Sequence, residues 1–430
     1  MAKFARGETR KFTSGFSSTF GSSGASLNPL RVVSQYNTMH AGTMTMTGQD
    51  RYFRRRPHVI CNDTDILRLR FDNWYVNTTG QGSFVNGADA FTVLGAWLEN
   101  FAGTLTAPFL FDSGATKTLN SGDSDVLTLD LNASAFSLAK FSEGESYWVR
   151  LLLSTTAGTA LPASIVSTAT TGGGSQSLRW SSAATTPSDP SLPGQLTVAS
   201  GAAFSTTSLG PDPILLGRPA ANAPSIILLG DSLTQGTSDA GTTTRYGPGQ
   251  VQRALGTATL TPRYAGLNLG VAGTRTALFS ENTKWHDLIK YARDGWTGPG
   301  TNDIATDSIA LATLQTRQSN VWNTLKTNGV RKVGAMKLLP RVTSSDSYAT
   351  TANQTPVNGF GASGTAEQFN TWLDTKLADN TINVVATMSS LRAPGEFMRW
   401  VVNGTANYAT SDGVHPNTTG HGFGAADLRA

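Results

Sequence analysis

Two hydrophobic rhythms share this chain of 430 residues, and they change over near Pro224. Beyond it, Ser225-Ile-Ile-Leu-Leu-Gly230 is a short apolar run closed by glycine, the pattern of a strand buried on both faces. Leu267-Asn-Leu-Gly270 ends a second strand, Ile309 to Lys326 has helical spacing, and Lys332-Val-Gly-Ala-Met-Lys-Leu-Leu339 reads as a further strand. Ala366 to Leu377 reads as a helix, Ile382-Asn-Val-Val-Ala386 as a strand, and Thr418 to Leu428 as a closing helix. Strands alternating with helices imply a parallel sheet covered on both faces, with reactive groups gathered where the strands end.

Upstream the texture is different. Asp65 to Phe71, Gly103 to Phe111, Ser124 to Leu131 and Ser146 to Leu153 are short runs between Gly, Asn, Ser and Asp turns, as in antiparallel strands. We expect an all-β sandwich or jelly-roll-like domain over 58–221, looser beyond Ser154, with Gly217 to Pro224 as a linker into an α/β domain over 222–430. Residues 1–57 are rich in Gly, Ser, Thr and Met and read as an extended N-terminal arm. Nine Lys/Arg lie in residues 1–56 against Glu8 and Asp50, leaving 24 basic and 27 acidic groups for the rest, so the excess positive charge belongs to the arm. A solvated basic tail accounts for it better than nucleic-acid binding, for which no recognition module is visible.

Cys61 is the single cysteine, which excludes an intramolecular disulfide and a cysteine-built zinc site. No run of about 18 apolar residues occurs, so no transmembrane helix is expected. The basic opening lacks the apolar stretch of a secretory signal.

Four short elements in the second half carry chemistry: Gly230-Asp231-Ser232-Leu233, Asn268-Leu-Gly270-Val-Ala-Gly273, Gly300-Thr-Asn302-Asp303 and Asp412-Gly-Val-His415-Pro416. A serine directly after an apolar strand and a glycine sits on a sharp turn with its hydroxyl at the sheet rim. That hydroxyl needs a base, and an imidazole, titrating near pH ~6.5, suits His415 to the task. Asp412, three residues earlier, can accept the other ring N–H and fix the tautomer, which makes a Ser-His-Asp triad. Acyl transfer also needs donors for the oxyanion, and the N–H groups of Ser232 and Gly270 with the Asn302 amide are the expected three.

Together these blocks resemble the SGNH hydrolases, also called GDSL esterases, over Pro224 to Ala430. The resemblance implies a three-layer α/β/α domain, Ser232 as nucleophile, Gly270 and Asn302 as oxyanion contributors, and His415 with Asp412 as base and partner. It implies no metal or organic cofactor. One departure is that members usually run an apolar strand into the Gly-x-Asn-Asp element, where this chain has Arg293-Asp-Gly-Trp-Thr-Gly-Pro-Gly300.

Several weaker signals have plainer readings. Gly122-Asp123-Ser124 follows polar residues and reads as a surface turn, and Gly359-Phe-Gly361-Ala-Ser-Gly364 lacks the preceding strand of a dinucleotide site. His421 has no aspartate at the favourable spacing and suits packing; His40, His58 and His286 are isolated. Asp63, Asp65, Asp123, Asp125 and Asp130 read as turn carboxylates rather than a calcium loop. Trp74, Tyr75, Trp97, Trp148 and Trp180 either stack on sugar rings or, as is commoner in strands, fill cores.

The leading expectation is a serine esterase acting on acyl, above all O-acetyl, esters of carbohydrate or surface polysaccharide. A lipase or thioesterase of the same family is one alternative. Another is a virion or other structural or binding protein with an inactive SGNH fold. A β-rich first half joined to such a domain looks like phage-tail components, so homo-oligomer or virion assembly through the arm is expected. Location would then be virion-associated or extracellular, with cytoplasmic as the alternative.

Overall fold

In the computed structural model, the described residues are 28–429 without 36, 88, 165–175, 184–186, 198–209, 240–247, 257–262 and 299. The C-terminal half is built on a six-stranded parallel sheet. Its order is Asn37–Thr38, Ala265–Gly270, Ser225–Gly230, Asp294–Thr297, Val333–Met336 and Val384–Ala386. Side chains alternate along a strand, so Ser225–Gly230 buries Ile227 and Leu229 on one face and Ile226 and Leu228 on the other. The first face packs against Leu314, Val321, Trp322 and Leu325 of the helix Leu311–Thr327 and Phe369 and Leu373 of the helix Thr365–Ala378. The second meets Val251 and Leu255 of Gln250–Gly256 and Ala425 and Leu428 of Thr418–Arg429. Helices on both sides of one parallel sheet give the expected α/β/α layers.

The polar approach to Gly300 is a strand after all. Asp294–Thr297 pairs in parallel with Ser225–Gly230 and Val333–Met336, and all four of its residues are buried. Arg293 makes this tolerable by pairing its Nη2 with the Asp294 carboxylate at 2.5 Å.

Upstream, three mainly antiparallel sheets form a strand-rich region. The largest runs Lys117–Leu119, Phe91–Asn100, Ser146–Ser154, Arg51–Val59 and Gln176–Trp180, with Thr106–Phe109 also on Phe91–Asn100. Arg51–Val59 is the chief departure from expectation, because a stretch with four arginines lies inside the sheet instead of in an arm. Its charges are matched internally. Arg55 forms a two-pronged pair with Glu99 (2.8 and 2.9 Å), which Arg150 joins at 2.7 Å, and Arg54 and Arg56 both contact Asp212. A buried carboxylate with this many donors leaves no bare charge. Residues 1–27 of the expected arm lie outside the described residues.

The segment read as arm also enters the C-terminal sheet. Asn37–Thr38 is its edge strand; the Met39 N–H donates to the Asn268 carbonyl at 3.1 Å, and the Gln35 side chain donates to the Tyr264 carbonyl at 2.9 Å. Val32, Met39, Cys61, Trp74, Val76, Ile214 and Leu216 share a hydrophobic cluster with Ile227, Leu229, Leu267 and Leu269. The stretch expected as a linker is held too, since the Pro224 carbonyl accepts from Ala265 N–H and from the Asn62 amide. Trp74, Trp148 and Trp180 are buried, which favours their core role; Tyr75 and Trp97 are half-buried. Among the described residues no helix is long and apolar enough to cross a membrane.

Candidate active site

Three strand ends meet at the rim of the parallel sheet. Ser225–Gly230 stops at Asp231, and a single helical turn, Ser232–Gln235, begins at once. Asp231 caps that turn, its Oδ1 accepting from the Leu233 N–H at 3.0 Å. The turn lies so close that a Cβ at Gly230 would meet Thr234 Oγ1 at 2.0 Å, so only glycine fits there. Ser232 begins the helix, where an N–H has no intrahelical acceptor.

His415 arrives from the loop before the closing helix. Its Nε2 is 2.8 Å from Ser232 Oγ and its Nδ1 is 2.7 Å from Asp412 Oδ2. Asp412 Oδ1 accepts from the N–H groups of Val414 and His415, each at 2.8 Å. Burial pushes the Asp412 carboxyl up, but the His415 ring and these two N–H groups outweigh it and hold the group far below the usual carboxylate range. Asp412 is therefore an anion wherever the imidazole can act as a base, and it fixes Nδ1 as the protonated nitrogen. Thr410 Oγ1 donates to the His415 carbonyl at 2.8 Å and accepts from Gly413 N–H at 3.0 Å, while Trp400 Nε1 and Val342 N–H both donate to the Gly413 carbonyl at 3.0 Å. The three residues expected as a triad thus form one hydrogen-bonded chain on a loop tied down at several points.

Asn302 follows the Asp294–Thr297 strand on the short helix Thr301–Ala305. Its Nδ2 donates to the Thr274 carbonyl at 3.1 Å and its Oδ1 accepts from Arg341 Nη1 at 3.2 Å. Asp303 beside it is buried and clamps the same loop, accepting from Thr276 N–H at 2.9 Å and Thr276 Oγ1 at 3.1 Å.

Gly270, expected as an oxyanion donor, has its N–H engaged by the Asn268 side chain at 2.8 Å, so it is not open to an incoming oxyanion. Its glycine identity has a packing cause, since a Cβ there would lie 2.6 Å from Gln235 N and 2.8 Å from the Thr234 carbonyl carbon. The neighbouring loop supplies an alternative that sequence reasoning passed over. Gly273 has φ +81°, and its N–H has no hydrogen-bond partner among the described residues. It lies between Ala272, whose N–H is held by Gln235 Oε1 at 2.6 Å, and Thr274, whose carbonyl holds Asn302. The signal was present in the block: of its two glycines, only Gly273 lies beyond the strand.

Burial acts on two other groups near Ser232. It pushes the Asp231 carboxyl up to about 7, with the Asp303 charge adding to the rise, and Asp231 Oδ2 has no hydrogen-bond partner among the described residues. His421 is buried and pushed down to about 4. Its Nδ1 accepts from Gln250 N–H at 3.1 Å, so its Nε2–H donates to the Thr237 carbonyl at 2.9 Å; the neutral ring ties the segment after the serine turn to a helix, as the packing role expected of it requires.

Residues 228–423 match the GDSL-like Lipase/Acylhydrolase family. The match marks a GDSL-like lipase/acylhydrolase domain at residues 228–423, a little under half of the chain, with the strand-rich region outside it. No curated protein matches the sequence. Similar solved structures include a GDSL-like lipase from Bacteroides thetaiotaomicron, 17% identical, covering 50% of this chain and 90% of that one with a TM-score of 0.35. A catalytic mutant of Axe2, an acetylxylan esterase from Geobacillus stearothermophilus, is 14% identical over 48% of this chain and 92% of that one, TM-score 0.35. The esterase EstA from a Pseudoalteromonas species is 12% identical over 47% and 93%, TM-score 0.34.

Proposed function

We propose that the chain is a serine esterase in which Ser232 attacks the ester carbonyl, His415 takes the serine proton and returns it to the leaving alcohol, and Asp412 holds the imidazole. The observation that carries this is the chain Ser232 Oγ to His415 Nε2 (2.8 Å) and His415 Nδ1 to Asp412 Oδ2 (2.7 Å). Attack converts the carbonyl to a tetrahedral oxyanion, for which Ser232 N–H, Gly273 N–H and the second Asn302 Nδ2–H are the proposed donors. Collapse expels the alcohol and leaves an acyl-serine; water activated by His415 then releases the acid and restores the hydroxyl.

For the substrate we favour a small acyl group, acetyl foremost, on a polar alcohol such as a sugar. Support comes from the polar groups around the serine, namely Asn302, Arg341, Asp231 and Asp412. A lipid-cleaving site would set an apolar wall beside the nucleophile. Acetate release from a panel of acetylated polysaccharides, set against hydrolysis of long-chain lipid esters, tests this: faster cleavage of the lipids would reverse the assignment.

A further inference from the structure

The reaction assigned above needs an asparagine amide turned the right way, and an amide has two faces. Asn302 is oriented by two contacts that agree: the Thr274 carbonyl can only accept, so it takes Nδ2–H, and a guanidinium can only donate, so Arg341 Nη1 must meet Oδ1. Without Arg341, only the Thr274 contact would resist rotation of the amide.

Arg341 is fixed from the other side of the site. It stands one residue before Val342, whose N–H donates to the Gly413 carbonyl within the loop that carries Asp412 and His415. The Arg341 carbonyl accepts from Val357 N–H at 3.0 Å. One short segment therefore touches both the acid-base loop and the oxyanion arm. The guanidinium is half-buried, and the charges it feels most are those of Asp231, Asp412 and Arg275. No carboxylate lies within 4.0 Å of it among the described residues, so the hydrogen bond to Asn302 is the one it makes within the protein there. A half-buried arginine held against an amide oxygen, and not against an acid, has an orienting task rather than a charge-pairing one.

We propose that Arg341 is a positioning residue for the reaction: it locks the Asn302 amide with its N–H pointing into the cleft. The inference rests on the esterase reading and adds to it a residue outside the four sequence blocks. Arg341 acts through Asn302, so its effect belongs to the transition state and not to ground-state binding.

The test is a double-mutant cycle on the intact chain with a short-chain p-nitrophenyl ester, measuring kcat and KM for the wild type, Arg341→Met, Asn302→Ala and the double variant. Removal of an oxyanion donor typically costs about 10²–10³ in rate, so loss of its orienter should cost about 10–100-fold in kcat with KM nearly unchanged. In the Asn302→Ala background the same Arg341→Met change should cost less than about 3-fold, because there is no amide left to orient. Arg341→Lys, which keeps a charge and a donor, should recover part of kcat, and it serves in the cycle if the methionine variant does not fold. Unchanged kcat in Arg341→Met, or equal losses in both backgrounds, would overturn the proposal. Failure of the esterase reading looks different: the wild type and Ser232→Ala would then be equally slow.

Discussion

The hydroxyl of Ser232 and Nε2 of His415 stand 2.8 Å apart although 183 positions separate them in sequence. One comes from a strand end in the middle of the parallel sheet, the other from a loop stitched down by Thr410, Val342 and Trp400. Replacing Ser232 by alanine removes the proposed attacking atom and little else. Hydrolysis of a short-chain p-nitrophenyl ester should fall by at least about 10³-fold, with the thermal midpoint within a few degrees of wild type. Equal rates would remove Ser232 as nucleophile.

Asp412 holds its imidazole from a partly exposed position, its side chain 44% accessible. Asp412→Asn keeps the shape but can donate where it should accept, which favours the wrong tautomer. We expect kcat to drop by about 10²–10⁴ while circular dichroism stays unchanged. The carboxylate is held far below its ordinary range, so protonation of Asp412 adds nothing to the acid limb of the wild-type kcat/KM profile near neutral pH.

Asp231 has a pH signature of its own. Its folded pKa is raised to about 7, above that of an unfolded aspartate near ~3.9. The folded state thus holds a proton the unfolded chain has released between those values, and the Asp231 contribution to stability falls as pH rises from about 4 to about 7. Asp231→Asn can keep the cap on Leu233 and abolishes this slope. Urea midpoints for wild type and variant should diverge in the variant's favour as pH rises through that window; parallel curves would refute it.

His421 works in the opposite sense. It is neutral when folded, with a pKa near 4, and an unfolded histidine protonates near ~6.5, so its contribution is lost as pH falls from about 6.5 to about 4. His421→Leu strands Gln250 N–H and the Thr237 carbonyl, and should cost about 1–3 kcal/mol at neutral pH, read by denaturant unfolding. It should also flatten the acid dependence.

The edge strand gives a fifth prediction. A fragment beginning at residue 222 lacks Asn37–Thr38 and the cover that Val32, Met39, Trp74 and Leu216 give to Leu267 and Leu269. It should be poorly soluble or lack a cooperative melt. A fragment with a midpoint and rate equal to the whole chain would show that the shared cluster is dispensable.

The central strands of the hydrolase half were legible because Ser225–Gly230 and Val333–Met336 are apolar runs punctuated by glycine, and the closing helix because its spacing is regular. The serine, histidine and aspartate could be picked out because each needs a local setting that sequence displays. What escaped was long-range. Arg51–Val59 looked like a tail because Arg54, Arg55 and Arg56 find Asp212 and Glu99 only after folding. Gly270 looked like an oxyanion donor because spacing does not reveal that the Asn268 side chain turns back upon its N–H. Arg341 lies outside every block, and only the fold brings it to Asn302.

The parallel sheet takes its edge from residues made long before the rest of it. Gln35 and Asn37 bond to Tyr264 and Gly266, each 229 positions later. At a synthesis rate of about 5–20 residues per second, that segment waits roughly 10–45 s after leaving the ribosome before its neighbours exist. Until those neighbours arrive, Val32 and Met39 can draw cover only from the earlier part of their cluster, Cys61, Trp74, Val76, Ile214 and Leu216, so slowing translation between residues 40 and 220 should lower the yield of active protein even though no amino acid is changed.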